Sequence, residues 1–160
     1  MASQQDFYIQ LEGIDGESID SQHPKWIDIL SFEYSVSQSS ISGGGSTGRA
    51  SFGALSFVHY VDKATPNLMQ YCADGKVIPN AKVSCCKVAE GSKEYMSITL
   101  SGCRITHAGP TGSTEDARIK ELVSVSYEKI EVEVTEQNAD GSMGAAVTRK
   151  WNVKENQKYG

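Results

Sequence analysis

A chain of 160 residues and 17.3 kDa, 39% of it hydrophobic, can bury one ordinary core and is short for a second domain. Its formal net charge of -5 and pI near 5.2 exclude a protein built to grip phosphate backbones, which needs clustered Lys and Arg. No run of 18 apolar residues occurs, so no membrane-spanning helix is predicted.

The opening "MASQQDFYIQ" lacks the basic and apolar regions of a secretory signal, which predicts synthesis in the cytoplasm without a signal peptide. Cys72, Cys85, Cys86 and Cys103 would stay reduced there, and an even count alone makes no disulfide framework. "DFYIQL" (6–11) starts the alternation of apolar and polar residues that marks strands with one buried face. "WIDILSFEYSVS" (26–37) continues it. Within that run Phe32, Tyr34 and Val36 alternate with Glu33, Ser35 and Ser37, predicting an apolar face toward the core and a polar face away from it.

"SQSSISGGGSTGR" (37–49) then interrupts the alternation with Gly and Ser and is predicted to be an extended loop at about 38–50. It is not a phosphate cradle, because Gly48 is followed by Arg49 and a strand where Lys, Ser or Thr and a helix are required. "ASFGALSFVHYV" (50–61) is the next strand candidate. After it "VDKATPNLMQYCADGK" (61–76) contains the one predicted helix, at about 66–74. Thr65 is placed to cap it, Pro66 to open it and Gly75 to close it. Leu68, Met69, Cys72 and Ala73 form one apolar stripe, and so short a helix must be held by packing on a sheet.

Strands resume with "AKVSCCKV" (81–88) and "EYMSITLSGCRITH" (94–107). After the loop "HAGPTGSTEDAR" (107–118) come "ELVSVSYEKIEVEV" (121–134) and "VTRKWNV" (147–153). Several of these are too long to be flat. Val123, Val125 and Tyr127 share one parity and Ile130, Val132 and Val134 the other, and the register also slips across Gly102, so bulges and curvature are expected. Long bent antiparallel strands suit a barrel or a folded-over sandwich.

Chemistry-bearing patterns are sparse. His23, His59 and His107 have no partner fixed by spacing, and His59 reads as a strand-face residue. Vicinal Cys85 and Cys86 point to opposite sides of a regular strand and cannot chelate one zinc together. Glu131 and Glu133 share a face that reads as solvated. These patterns predict no catalytic residues, no metal and no cofactor.

"GESIDSQHPKWIDILSFEYSVSQS", the glycine loop after it, "LSFVHYVDKATPNLMQYCADGK" and the closing "KWNVKENQ" together resemble the Hcp family, the haemolysin-coregulated proteins of type VI secretion systems. The resemblance runs from the first strand to the C-terminus. It implies a mainly β protein: a single compact β-barrel of two mostly antiparallel sheets with one short α-helix on its side, over residues 1–160. It also implies homohexameric rings that stack into the inner tube of a contractile injection machine, carry or chaperone effectors, and are themselves secreted. A VgrG-type spike, sheath proteins and small effectors are the implied partners. Some members carry a toxin domain after the barrel, and the chain ends at Gly160, too early for one to be expected.

The resemblance assigns ring or ring-stacking contacts to the loop containing Gln38, Ser42, Gly43, Gly44, Gly45, Ser46, Thr47, Gly48 and Arg49. It also makes Glu33, Ser35 and Ser37 candidates for the channel wall. A phage or phage-like tail tube protein shares the architecture and is the second reading. A monomeric ligand-binding β-barrel is the third.

Overall fold

Alternating apolar residues, many of them β-branched or aromatic, favour extended backbone, and strands dominate the fold. The computed structural model describes residues 4–40, 47–88 and 91–160. Among them the chain forms β1 (Gln5–Leu11), β2 (Ile27–Ile29), β3 (Ser31–Glu33), β4 (Val36–Ser40), β5 (Thr47–Phe52) and β6 (Leu55–Tyr60). Helix α1 (Thr65–Asp74) follows. Then come β7 (Ile78–Lys87), β8 (Lys93–Thr111), β9 (Lys120–Ser126), β10 (Lys129–Gln137), β11 (Met143–Asn152) and β12 (Gln157–Lys158).

All pairings are antiparallel. One sheet runs in the order β12-β11-β10-β8-β7-β1-β2 and the second in the order β3-β6-β9-β8. Strand β8 belongs to both. Its first part pairs with β7 and β10, its last part with β9, and between them the backbone turns at Gly102, with φ +64. That is where the slipped parity placed a bend, and a glycine takes this conformation without strain. The expected two-sheet architecture is therefore present, as a sandwich folded over along β8 rather than a fully closed barrel.

Other boundaries differ from the sequence reading. "WIDILSFEYSVS" divides into three strands and "ASFGALSFVHYV" into two, with a break at Gly53 and Ala54. "ELVSVSYEKIEVEV" divides at Tyr127 and Glu128, which explains its change of parity: β9 serves the second sheet and β10 the first. The loop expected from His107 begins as strand, because β8 continues to Thr111.

The core lies between the sheets. Ile9, Leu11 and Ile27 meet Val83, Ile98, Leu100 and Ile130 from the first sheet, with Leu55, Phe57, Val123 and Val125 from the second. Helix α1 packs on β8 and inserts Leu68, which is 0% exposed. Two details of its predicted build are corrected. The cap position is Ala64, whose side chain has no capping group, and the Thr65 hydroxyl donates to Glu121 rather than capping the helix. Of the expected stripe, Leu68 is buried and Cys72 half-buried, while Met69 is 64% exposed and Ala73 is exposed too; Tyr71 completes the inward face. Gly75, in the left-handed conformation, closes the helix as expected.

Candidate functional site

Residues 33–40 leave the two main sheets in two steps, and residues 47–52 return. Glu33 ends β3 on the outer side of the second sheet, paired with Ser56 of β6. Ser56 pairs in turn with Ser124 of β9, their hydroxyls 2.9 Å apart, and Ser124 with His107 of β8. These four residues form a polar row across the sheet. Beside it Ser31, Val58 and Leu122 make a second row, and a shallow depression of about 250 Å³ lies over Ser31, Glu33, Ser56, Val58 and Leu122.

Ser35 stands at the junction that follows. Its carbonyl accepts the Gly53 amide at 2.8 Å, and a Cβ on Gly53 would stand 2.7 Å from its hydroxyl, which would have to turn away to admit one. Beyond it β4 and β5 form a separate two-stranded ribbon in which Ser37 faces Ser51 and Gln38 faces Ala50. Glu33, Ser35 and Ser37 are all exposed. They do not share one sheet face, because the alternation that the sequence shows is broken at the junction. For the same reason Val36, expected in the core, is 54% exposed on the ribbon.

Of the expected loop, Gln38 lies in β4 and Thr47, Gly48 and Arg49 in β5, so these four are strand rather than loop. Ser42, Gly43, Gly44, Gly45 and Ser46 lie outside the described residues. The ribbon is anchored at its base. Phe52 stacks on Trp151 at 6.4 Å and meets Tyr127 edge-on, the Tyr127 hydroxyl donates to the Gly53 carbonyl at 2.8 Å, and Arg49 donates to the Lys154 carbonyl at 3.3 Å. Asn152, next to Trp151, holds the following turn by accepting the Glu155 amide at 2.8 Å.

Two buried polar groups escaped the sequence reading. The segment before β2 folds over β1 and β7, where His23 bridges Asp20 and Ser84 at 2.7 and 2.9 Å. His59 is not a plain strand-face residue, for it pairs with Glu121 across β6 and β9. A cleft of about 530 Å³ is lined by Asp6, Glu17, Asp28 and Asp62, with Arg118 stacked over Tyr60. Burial, and then the charges of Asp62 and Asp6, hold the Asp28 carboxyl above the usual carboxylate range.

Cys85, Cys86 and Cys103 are buried, and burial pushes the Cys85 and Cys103 thiols up to about 12, which leaves them poor nucleophiles. A bulge separates Cys85, which lies in the core, from Cys86 beside His23. Among the described residues no group of three His, Cys, Asp or Glu side chains is placed to hold a metal ion.

Residues 8–134 match the family described as "Type VI secretion system effector, Hcp". The chain belongs to the Hcp family. It is 36% identical over 156 residues to the protein hcp1 of Pseudomonas aeruginosa, covering 94% of this chain and 96% of that one. In fold it is similar to Hcp1 from Salmonella typhimurium, with a TM-score of 0.85 at 32% identity over 98% of this chain and 100% of that one. It is also similar to a type VI secretion system effector from Yersinia pestis, with a TM-score of 0.76 at 30% identity over 92% of this chain and 100% of that one. As an Hcp protein it belongs to the type VI secretion system.

Proposed function

We propose that this Hcp protein assembles into homohexameric rings that stack into the inner tube of the secretion machine and carry small effectors. The similarity to Hcp proteins over nearly the whole chain is the observation that carries this reading. The anchored ribbon supports it, since a two-stranded ribbon outside both sheets adds little to the core and is suited to reach a neighbouring subunit or ring. Closed rotational symmetry covers sheet edges that would otherwise invite uncontrolled pairing. On this reading the protein acts as a structural part and carrier, not as a catalyst. It is made in the cytoplasm and leaves through the machine it builds, alongside a VgrG-type spike and sheath proteins.

The residues from Gln38 to Arg49 would then supply contacts between subunits or rings. The face carrying Glu33 would line the channel, where one carboxylate per subunit, repeated by symmetry, disfavours acidic cargo. The assembly test is size-exclusion chromatography with light scattering on the full chain. A species near six protomer masses is expected, and a monomer of 17.3 kDa across a wide concentration range sinks the ring reading in favour of a ligand-binding barrel.

A further inference from the structure

Strands β6 and β9 turn the same alternate positions to the core, Leu55 and Phe57 from one, Val123 and Val125 from the other. The next inward position on each carries a titratable side chain: His59 on β6, Glu121 on β9. They are direct cross-strand partners, and their exposures are 0% and 1%. His59 Nε2 lies 2.7 Å from Glu121 Oε1, and the same oxygen accepts the Thr65 hydroxyl at 3.1 Å. On the other side of the ring His59 Nδ1 has no hydrogen-bond partner and stands 3.7 Å from Asp62 Oδ2.

With both carboxylates ionised, a count of hydrogens gives the charge of the ring. An ionised Glu121 only accepts, so Nε2 carries a hydrogen. In a neutral ring Nδ1, itself buried, would then aim its lone pair at a second carboxylate, that of Asp62 at the edge of the cleft. A hydrogen on Nδ1 turns that repulsion into attraction. Burial alone pulls the imidazole below its ordinary value, but the carboxylates of Asp62 and Glu121 on either side leave it raised. The charged groups facing it are Glu121 from β9 and Asp62 from the turn after β6. Helix α1 contributes the Thr65 hydroxyl, and β6 the tilted ring of Phe57.

Both carboxylates also hold the start of α1. Asp62 Oδ1 accepts the Ala64 amide at 2.9 Å, and Thr65 accepts the Asp62 amide at 3.2 Å while donating to Glu121. We propose that His59 is a pH-sensitive latch: as an imidazolium it clamps Glu121 and Asp62 and so seats the first turn of α1 on the β6–β9 pair, and as a neutral ring it releases that turn. The latch lies within one protomer and does not depend on the ring reading. Because the folded-state value is raised, the latch is complete below the ordinary histidine value of about 6.5 and is lost as pH rises through the folded value.

The test uses the full chain labelled with 15N. Long-range proton–nitrogen spectra read both ring nitrogens of His59, and hydrogen exchange reads the amides of Leu68 to Cys72, from pH 6 to pH 9. Both nitrogens should carry hydrogen at pH 6. Loss of one should come above the midpoint of a histidine in an unfolded peptide, together with a fall in α1 protection after correction for intrinsic exchange, by one factor of ten for each unit that separates the two measured midpoints. His59→Gln, which keeps a donor toward Glu121, should abolish that step. A neutral ring at pH 6, protection that stays flat through the ring's transition, or the same step in the glutamine variant overturns the latch. If the variant does not fold, the two measurements on the native chain decide alone.

Discussion

The imidazole of His23 lies flat on the phenol ring of Tyr8, centroids 4.4 Å apart and 9° from parallel, while Trp26 meets it edge-on at 4.7 Å. This stack fixes the segment before β2 over the outer side of β1 and β7. A line of hydrogen bonds runs beneath it from Asp20 through His23 and Ser84 to Glu94.

Removing the ring should therefore cost more than its area. His23→Ala should lower stability by about 2–3 kcal/mol in denaturant titration at pH 7, by emptying a buried stack and stripping partners from Asp20 and Ser84. The acid limb should change as well. The hydrogen bond from His23 holds the Asp20 carboxyl below the usual carboxylate range, so its contribution is present above the ordinary value of about 3.9 and is lost as pH falls through the lower folded value. In His23→Ala this part of the acid destabilisation should vanish. An acid limb identical in both proteins would show that the contact is energetically idle.

Leu68 is the deepest contact between α1 and the sheets. Leu68→Asp places a charge without a partner in the core and should destabilise by about 4 kcal/mol or more. Gln70→Asp, on the exposed side of the same helix, should stay within about 0.5 kcal/mol. Equal midpoints for the two variants would remove packing as the helix's role.

Deleting Gly43 to Gly48 removes residues between β4 and β5 in the sequence together with Thr47 and Gly48 at the start of β5. Since among the described residues β4 and β5 pair with each other and with no other strand, the protomer should keep its fold and thermal midpoint within a few degrees. What should weaken is assembly, seen as a shift from ring to smaller species in light scattering, or as loss of ring stacking in negative-stain images. Rings, stacks and secretion all unchanged would dismiss the assignment of contacts to this segment.

Glu33→Arg reverses one exposed charge on the polar row with Ser56, Ser124 and His107. Folding and ring size should be unchanged. The set of effectors that co-purify with the rings should shift toward acidic proteins by mass spectrometry. A ring structure with Glu33 on the outer rim or at a subunit contact would end the channel reading while leaving the tube untouched.

How much of this was legible from the amino-acid order depends on the distance over which each interaction acts. The strand runs, the bend at Gly102 and the closing role of Gly75 are local, and the alternation and glycines announced them. The split of one apparent strand at Tyr127 was visible as a change of parity, but not as a change of sheet, because strand partners are chosen far along the chain. Val36 kept its phase on paper and lost its burial, since the junction at Ser35 and Gly53 carries the chain off the sheet. Lone histidines in the sequence gave no hint of the pairs they form. His23 and Ser84 are 61 residues apart and meet when the segment before β2 folds over β7, and His59 and Glu121 are 62 apart and meet through the β6–β9 register.

That separation also imposes an order in time. Ser56 on β6 waits for Ser124 on β9, 68 residues later in the chain. At synthesis rates of about 5–20 residues per second, β6 spends roughly several seconds with β3 on one edge and its other edge bare. A bare edge of this kind is a template for the same strand of another nascent chain. The second sheet cannot complete itself until Ser126 has been made, and for that interval the open edge of β6 can take either its own β9 or a strand from a sibling chain.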